Sequence, residues 1–230
     1  SATKNDMQEL NAVVGATLPK DAITLTTRNV DADTINTTRL KKLKGEEKSF
    51  DGLLNGDFER HETPTDSVLL LKKQARVMCI ANDPLGRFVN GSLGWVEGFD
   101  TDEQGTSFVL VRLDDGQTVA VGPHTWSLYQ SVLNDETKTI EQEAVGSFTQ
   151  LPLRLAWAVT IHKSQGKTFD HVVVDFGQGA FASGQAYVAL SRCRSLEGLS
   201  LTKPVTNRDV RLDEAVVQFM DYHRSVSVSE

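Results

Sequence analysis

The chain is 230 residues long, 39% hydrophobic and 24% charged, with 24 Lys and Arg against 31 Asp and Glu for a formal net charge of -7. Its size suits one large domain or two small ones burying on the order of 70% of the unfolded surface, and its acidic balance argues against a strongly basic DNA-coating protein. No apolar run approaches the roughly 20 residues of a membrane span, and Cys79 and Cys193, lacking CxxC spacing, read as reduced and buried and indicate neither a disulfide framework nor a zinc or other metal site.

Residues 23–27 are β-rich, and Asn29 or Asp31 is placed to cap a following helix that carries Ile35, Leu40 and Leu43, so the chain opens on a strand-to-helix unit. Over 67–126 the signal turns all-β, with strands expected at 68–71, 76–80, 93–99, 108–113 and 118–121. The alternation in FVLVRL and the Asp115-Gly116 pair specify a hairpin. Gly91, Gly94 and Gly98 suit the sharp corners of a small barrel, with Asn90 and Gly91 as a turn and Trp126 closing the core. Residues 134–144 are polar and acidic and read as a loop or an exposed helix. A strand near 148–153 follows, and 172–176 reads as a fully buried strand of the kind parallel sheets use. Leu212, Val216, Phe219 and Met220, at i, i+4, i+7 and i+8, mark a C-terminal helix packed by one face.

Two stretches carry the chemistry, AVTIHKSQG at 158–166 and GQAYVALSRCR at 184–194. Thr160, His162, Lys163, Ser164 and Gln165 gather two hydroxyls, an imidazole, an ammonium and a carboxamide just before Gly166, a dense supply of hydrogen-bonding groups for phosphate oxygens. One at a time they also fit structural roles: Lys163 and Gln165 as a solvated helix face, His162 as a surface or packed histidine. Ala186, Val188, Ala189 and Leu190 form an apolar, helix-compatible run that would hold Ser191, Arg192 and Arg194 against the body of the fold. A guanidinium held in that way is pre-organised for phosphate, while a salt bridge or a helix C-terminal charge are the other roles open to Arg192.

A basic track for nucleic acid is available from Lys72, Lys73 and Arg76, or from Arg154, His162 and Lys163, and ordinary surface charge accounts equally well for the first set. Gly166, Lys167 and Thr168 imitate the tail of a phosphate loop, GxxxxGK followed by Ser or Thr, but Ile161 stands where its first glycine is required. No other window fits, and no acidic cluster follows a strand as a magnesium-binding partner would. The chain holds phosphate-seeking arginines and no cradle for the nucleotide.

In order along the chain, four stretches resemble the second motor domain of the superfamily 1B DNA helicases of the Pif-one, RecD and Dda group. LTTRNVDADTIN at 25–36 is similar to motif IV, FVNGSLGWVEGF at 88–99 to an inserted small barrel, LAWAVTIHKSQG at 155–166 to motif V, and GQAYVALSRCRSLEGL at 184–199 to motif VI. The likeness implies an α/β fold, a RecA-like parallel sheet flanked by helices with an inserted Src-homology-3-like β-barrel. Residues 1–66 and 127–230 would form motor domain 2A and residues 67–126 the barrel, domain 2B. What the likeness lacks is the first motor domain, with its nucleotide loop and acidic metal site; Ser1 in place of an initiator methionine, followed by Ala2, reads as the scar of a truncation.

By that resemblance, ATP and Mg2+ bind in the full-length protein between the first domain and this one, and neither is bound by this chain alone. Arg192 would act as an arginine finger on the γ-phosphate, a role contributing roughly 10³ to 10⁵ in rate. Gln165 and Gly166 would couple the nucleotide cleft to DNA, and Arg28 would face the same cleft. Thr160, His162, Lys163 and Ser164 would contact the backbone of single-stranded DNA. Thr26 and Asn29, with Thr27, would touch DNA phosphates or shape the turn after the first strand. The implied partners are single-stranded DNA and the missing N-terminal motor domain of the same polypeptide, with no membrane, in a soluble cytoplasmic protein of bacterial or phage origin. The implied activity is ATP-dependent 5′-to-3′ DNA unwinding by the full-length protein, this chain alone being inactive. The alternative is a non-enzymatic nucleic-acid or protein binding module that keeps the fold; a complete small hydrolase built on His162 finds no nucleophile, base and orienting acid by motif.

Overall fold

The computed structural model describes residues 4–56, 58, 63–133, 139–180 and 182–210. The first half of the chain forms α1 (Lys4–Asn11), β1 (Ile23–Thr26), α2 (Asn29–Lys42), β2 (Lys48–Asp51), β3 (Leu53–Gly56), β4 (Val68–Leu71), β5 (Arg76–Cys79), β6 (Leu93–Thr101) and β7 (Ser107–Leu113). The second half forms β8 (Thr118–Val121), β9 (His124–Leu133), β10 (Ile140–Gln150), β11 (Leu153–Leu155), β12 (Ala158–Thr160), a 3-10 turn at His162–Ser164, β13 (Val172–Asp175), α3 (Gln185–Leu190) and β14 (Leu199–Leu201). These elements divide into two compact units, one drawn from Ser1–Thr37 and Trp157–Glu230, the other from Thr38–Ala156.

In the first unit four short strands build a wholly parallel sheet in the order β12-β1-β13-β14. The run VVVD at β13 lies between β1 and β14, as a continuous apolar strand demands when both of its neighbours run parallel to it. Ile23, Leu25, Val172, Val174, Leu199 and Leu201 are buried there, each contributing on the order of 1.5–3 kcal/mol of apolar transfer. One side chain fixes the edge strand: buried Asn36, on α2, donates to the Ala158 carbonyl at 2.8 Å and accepts from the Ala158 N–H at 2.9 Å. α2 begins at Asn29 itself, so Asp31 lies in its first turn and takes the Arg28 guanidinium, and neither Asn29 nor Asp31 stands before the helix as the expected cap. The C-terminal helix expected from Leu212, Val216, Phe219 and Met220 falls outside the described residues.

The second unit is antiparallel. Its main sheet has the order β11-β5-β6-β7-β8, with β2 paired to β4 and a further sheet ordered β3-β10-β9. The hairpin read from FVLVRL and Asp115-Gly116 joins β7 to β8, closed by the Leu113 N–H on the Gln117 carbonyl at 2.8 Å and by the Gln117 N–H on the Asp115 carboxylate at 2.9 Å. Gly94 is there for space: a Cβ at that position would lie 2.7 Å from the Arg112 carbonyl oxygen of β7. The loop entering β6 is ordered by a two-pronged Asp83–Arg87 pair with both N–O distances at 2.8 Å and by the Asn90 N–H on the Asn82 side chain at 2.8 Å.

Three expectations change here. Within the polar stretch 134–144, residues 140–144 belong to β10, paired along its length with β9; both faces of that ribbon are largely exposed, so it carries no apolar alternation to betray a strand. The strand expected near 148–153 is two strands, β10 and β11, parted at Leu151 and Pro152, because proline brings no N–H to a ladder. Trp126 sits on β9 and stacks on Phe148 of β10 at 5.8 Å, so it belongs to the three-stranded sheet and not to the sheet of β5 to β8. The unit also reaches beyond 67–126 at both ends, since β2 and β3 precede that stretch and β10 and β11 follow it.

The same unit redefines both basic sets. Arg76 is 2% exposed, paired through both guanidinium ends with Asp114 and lying 4.9 Å over the Trp95 ring. Lys72 donates to the Leu43 carbonyl at 3.4 Å, and Arg154 donates to the Pro64 carbonyl. Arg76 and Arg154 are therefore internal struts, and neither is part of a track for nucleic acid.

Candidate functional site

Beyond β12 the chain turns sharply. The Ile161 N–H donates to the Thr26 carbonyl at 2.9 Å and keeps β12 in register with β1 up to its last residue. The 3-10 turn is closed by the Ser164 hydroxyl on the Ile161 carbonyl at 2.6 Å, by the Gln165 N–H on the His162 carbonyl at 3.2 Å and by the Lys167 N–H on the Ser164 carbonyl at 3.1 Å. Gly166 leaves it at φ +73°, a left-handed conformation that costs glycine nothing. The turn presents His162, Lys163, Gln165 and Gly166 to solvent. Ser164 is 0% exposed, and Thr160 and Thr26 are buried as well, Thr26 donating its hydroxyl to the Arg28 carbonyl at 3.0 Å. The expectation that these three hydroxyls face a DNA backbone is thus corrected: all three are buried, those of Ser164 and Thr26 on backbone carbonyls, while His162, Lys163 and exposed Asn29 reach the surface.

Arg192, half-buried at the end of α3, is held by neutral acceptors. Its Nε donates to the Val188 carbonyl at 2.9 Å, Nη1 to the Lys167 carbonyl at 3.0 Å and Nη2 to the Ser191 hydroxyl at 2.9 Å. The backbone adds two ties, the Phe169 N–H on the Arg192 carbonyl at 2.8 Å and the Arg194 N–H on the Phe169 carbonyl at 3.1 Å. These bonds fix the guanidinium in place, and among the described residues none of them goes to a carboxylate. Arg192 is thereby joined to the segment that directly follows Gln165 and Gly166. Arg194 is used differently, in an exposed pair with Asp170 at 2.9 Å.

Arg28 lies in the same unit, just after β1. Its guanidinium is 53% exposed and paired two-pronged with Asp31 at 2.9 Å, which holds its pKa above the ordinary arginine value. It lines a cleft of about 360 Å³ with Thr27, Gln178, Gly179, Ala180, Arg208 and Asp209. Thr27 and Arg28 follow β1, and Gln178 to Ala180 follow β13, its neighbour in the sheet, so the cleft opens beyond the carboxyl ends of two adjacent parallel strands, where open α/β sheets hold ligands.

No family model matches the chain. It is 38% identical to the ATP-dependent DNA helicase PIF1 of Rattus norvegicus over 223 residues, covering 92% of this chain and 32% of the rat protein. The solved structure of unliganded Pif1 from Bacteroides sp superposes with a TM-score of 0.83 at 34% identity, over 97% of this chain and 51% of that one. The chain belongs to the Pif1 helicase family. A Bacteroides Pif1 helicase in complex with ADP-AlF3 and single-stranded DNA matches at a TM-score of 0.75 and 34% identity, over 97% of this chain and 51% of the other. The chain spans about a third of the length of the rat Pif1 relative and half of these Bacteroides Pif1 chains. The Pif1 match agrees with the parallel sheet and helices of a RecA-like fold. A mammalian relative gives no ground for confining the chain to bacteria or phage, and no helix among the described residues is long and apolar enough to cross a membrane.

With Pif1 as the frame, the site residues fall into two groups. The structure joins Arg192 to the segment after Gln165 and Gly166, and Arg28 lines the cleft beyond β1 and β13. Gln178 and Arg208 of that cleft had no signal of their own in the sequence; a clue was the position of FGQGA just past the buried run VVVD, the same place that Arg28 holds after β1. Among the described residues no group of three or more His, Cys, Asp or Glu is arranged to hold a metal ion.

Proposed function

We propose that this chain is the second motor domain of an ATP-dependent 5′-to-3′ DNA helicase. The parallel sheet of the first unit is its RecA-like body, domain 2A, and the antiparallel unit threaded into it carries the inserted Src-homology-3-like barrel, domain 2B. The observation that carries this reading is Arg192: a half-buried guanidinium oriented by three neutral acceptors and tied to the backbone just past Gly166. Three of its five N–H donors are spent on orientation. The charge remains for an anion.

Facing ATP held by the N-terminal motor domain of the same polypeptide, Arg192 stabilises the charge that builds on the γ-phosphate during transfer, an effect worth roughly 10³ to 10⁵ in rate. The ties to Lys167 and Phe169 link any movement of that arginine to the 3-10 turn. His162, Lys163 and Asn29 take backbone phosphates of single-stranded DNA, and Gln165 with Gly166 carries the coupling between the two. Thr160, Ser164 and Thr26 hold the turn so that these groups stay presented. Arg28 supplies a second cation toward the nucleotide. The described residues offer no carboxylate cluster for Mg2+; in this reading the ion would be held with the nucleotide by the N-terminal motor domain.

Support comes from the relatives themselves, which are named ATP-dependent DNA helicases, and from a Pif1 structure holding ADP-AlF3 and single-stranded DNA. The deciding experiment is Arg192→Ala in the full-length protein. ATP turnover falls by 10³ or more while single-stranded DNA affinity changes little; near-normal turnover would remove the finger. This chain alone shows no ATP turnover, and substantial hydrolysis by it would overturn the two-domain reading.

A further inference from the structure

In a chain of net charge -7, three segments of the second unit converge on one corner with seven cations against two carboxylates. They are the end of α2 with the residues after it, the start of β2, and the turn between β4 and β5. The corner is built by two of its own lysines. Lys72 donates to the Leu43 carbonyl at 3.4 Å and lies 3.9 Å from the Glu47 carboxylate. Lys48 stands opposite Leu71 in the β2–β4 ladder, with its ammonium 5.3 Å over the Phe99 ring. Those interactions occupy Lys48, Lys72 and Glu47. Arg39, Lys41, Lys42, Lys44 and Lys73 are left exposed around them.

Helix chemistry explains only part of this set. Cations in the last turn of α2 complement its dipole at about 0.3–1 kcal/mol each, an effect that fades beyond that turn, and Lys44 and Lys73 lie outside the helix. Like charges at helical spacing, such as Arg39 and Lys42, repel by a few tenths of a kcal/mol. A concentration of cations that raises the free energy of the isolated protein is one that a polyanion relieves.

We infer that this corner is a second nucleic-acid contact, a phosphate-backbone surface formed by Arg39, Lys41, Lys42, Lys44 and Lys73. The occupant is a polyanion and not a single phosphate, because the cations are spread over separate segments and four of the five are lysines, point charges without the fork that grips one small anion. It reads no sequence, since lysines on phosphates fix position and carry no base information. Nucleic acid as the partner rests on the helicase reading above; the corner itself rests on the charge and geometry just given.

The test uses the full-length protein carrying Lys41→Gln, Lys42→Gln, Lys44→Gln and Lys73→Gln together, with single-stranded and duplex oligonucleotides in separate arms. Each phosphate that is no longer neutralised lowers the magnitude of the slope of log affinity against log salt by about 0.7 for single strands and 0.9 for duplex, so the four changes together lower it by about 3 in the single-strand arm or about 3.6 in the duplex arm. ATP turnover at saturating DNA stays at the parent value. The matching set of Lys→Arg changes keeps the parent slope, which separates charge from folding. An unchanged slope in both arms, in a parent protein that shows DNA-dependent turnover, overturns the corner and leaves the helicase reading standing. A parent protein that binds neither oligonucleotide overturns both.

Discussion

The two units handle their chains in opposite ways. In the first, parallel strands of three or four residues all end at one edge, so the segments after β1, β12 and β13 gather there whatever their distance in sequence. In the second, antiparallel strands of up to 11 residues send successive turns to opposite ends. The parallel unit is therefore where groups distant in sequence meet, and the antiparallel unit is a surface on which charge and shape are laid out. A substitution at the gathered strand ends of the first should act on chemistry, one among its buried ties on stability, and one in the second on stability or affinity.

The largest expected effect tests the first half of that contrast. Arg192→Lys in the full-length protein should lose nearly as much turnover as Arg192→Ala, about 10³-fold or more, because an ammonium cannot keep three orienting bonds and still face an anion. Recovery to within tenfold of the parent rate would show that charge alone matters there. Next in size is Asn36→Ala, which strips partners from a buried backbone N–H and C=O on Ala158. Two stranded groups at about 1–3 kcal/mol each predict a loss of about 2–6 kcal/mol, read by denaturant unfolding. A change below 1 kcal/mol would mean that β12 is held by its ladder alone.

Gly94→Ala probes the antiparallel unit. With its new methyl 2.7 Å from the Arg112 carbonyl oxygen, overpacking should cost about 1–3 kcal/mol, while turnover of the full-length variant per folded molecule stays normal. Impaired turnover in fully folded variant would break the division of labour between units. The smallest effect is one of pH. Hydrogen bonds from Arg87 hold the Asp83 carboxyl down to about 2. A carboxyl lowered on folding adds stability above its unfolded value of about 3.9 and gives it up as pH falls toward the folded value. An NMR titration should place the Asp83 midpoint near 2, and Arg87→Ala should return it toward about 3.9.

What the sequence made legible follows from the same physics. The buried run VVVD and the Asp-Gly hairpin could be read because each is a strong local preference that its neighbours reinforce. The chemistry of 158–166 and 184–194 was legible as residue types, and the tie between Arg192 and Lys167 now joins the two stretches. The fate of each hydroxyl was not legible. Ser164 has the same donor and acceptors whether it faces water or a backbone carbonyl, and only the turn decides which. Arg76 misled in the same way, since a guanidinium in an exposed-looking run carries no sign of the Asp114 lying 38 residues away. The first half of β10 was missed because a ribbon wet on both faces has no pattern of burial to inscribe.

β1 and β12 are hydrogen-bonded neighbours, with Thr24 opposite Ala158, yet the whole of Thr38–Ala156 is threaded between them. Entry and exit of that excursion are clasped together by Asn36 and Ala158, as the two ends of a bag are by its drawstring. Chain entropy penalises the length of such an excursion only logarithmically, so the parallel sheet is nearly indifferent to what is stitched in at this point. A short glycine-serine bridge from residue 37 to residue 157 should leave β12-β1-β13-β14 intact, and cargo of other sizes should be tolerated at the same seam.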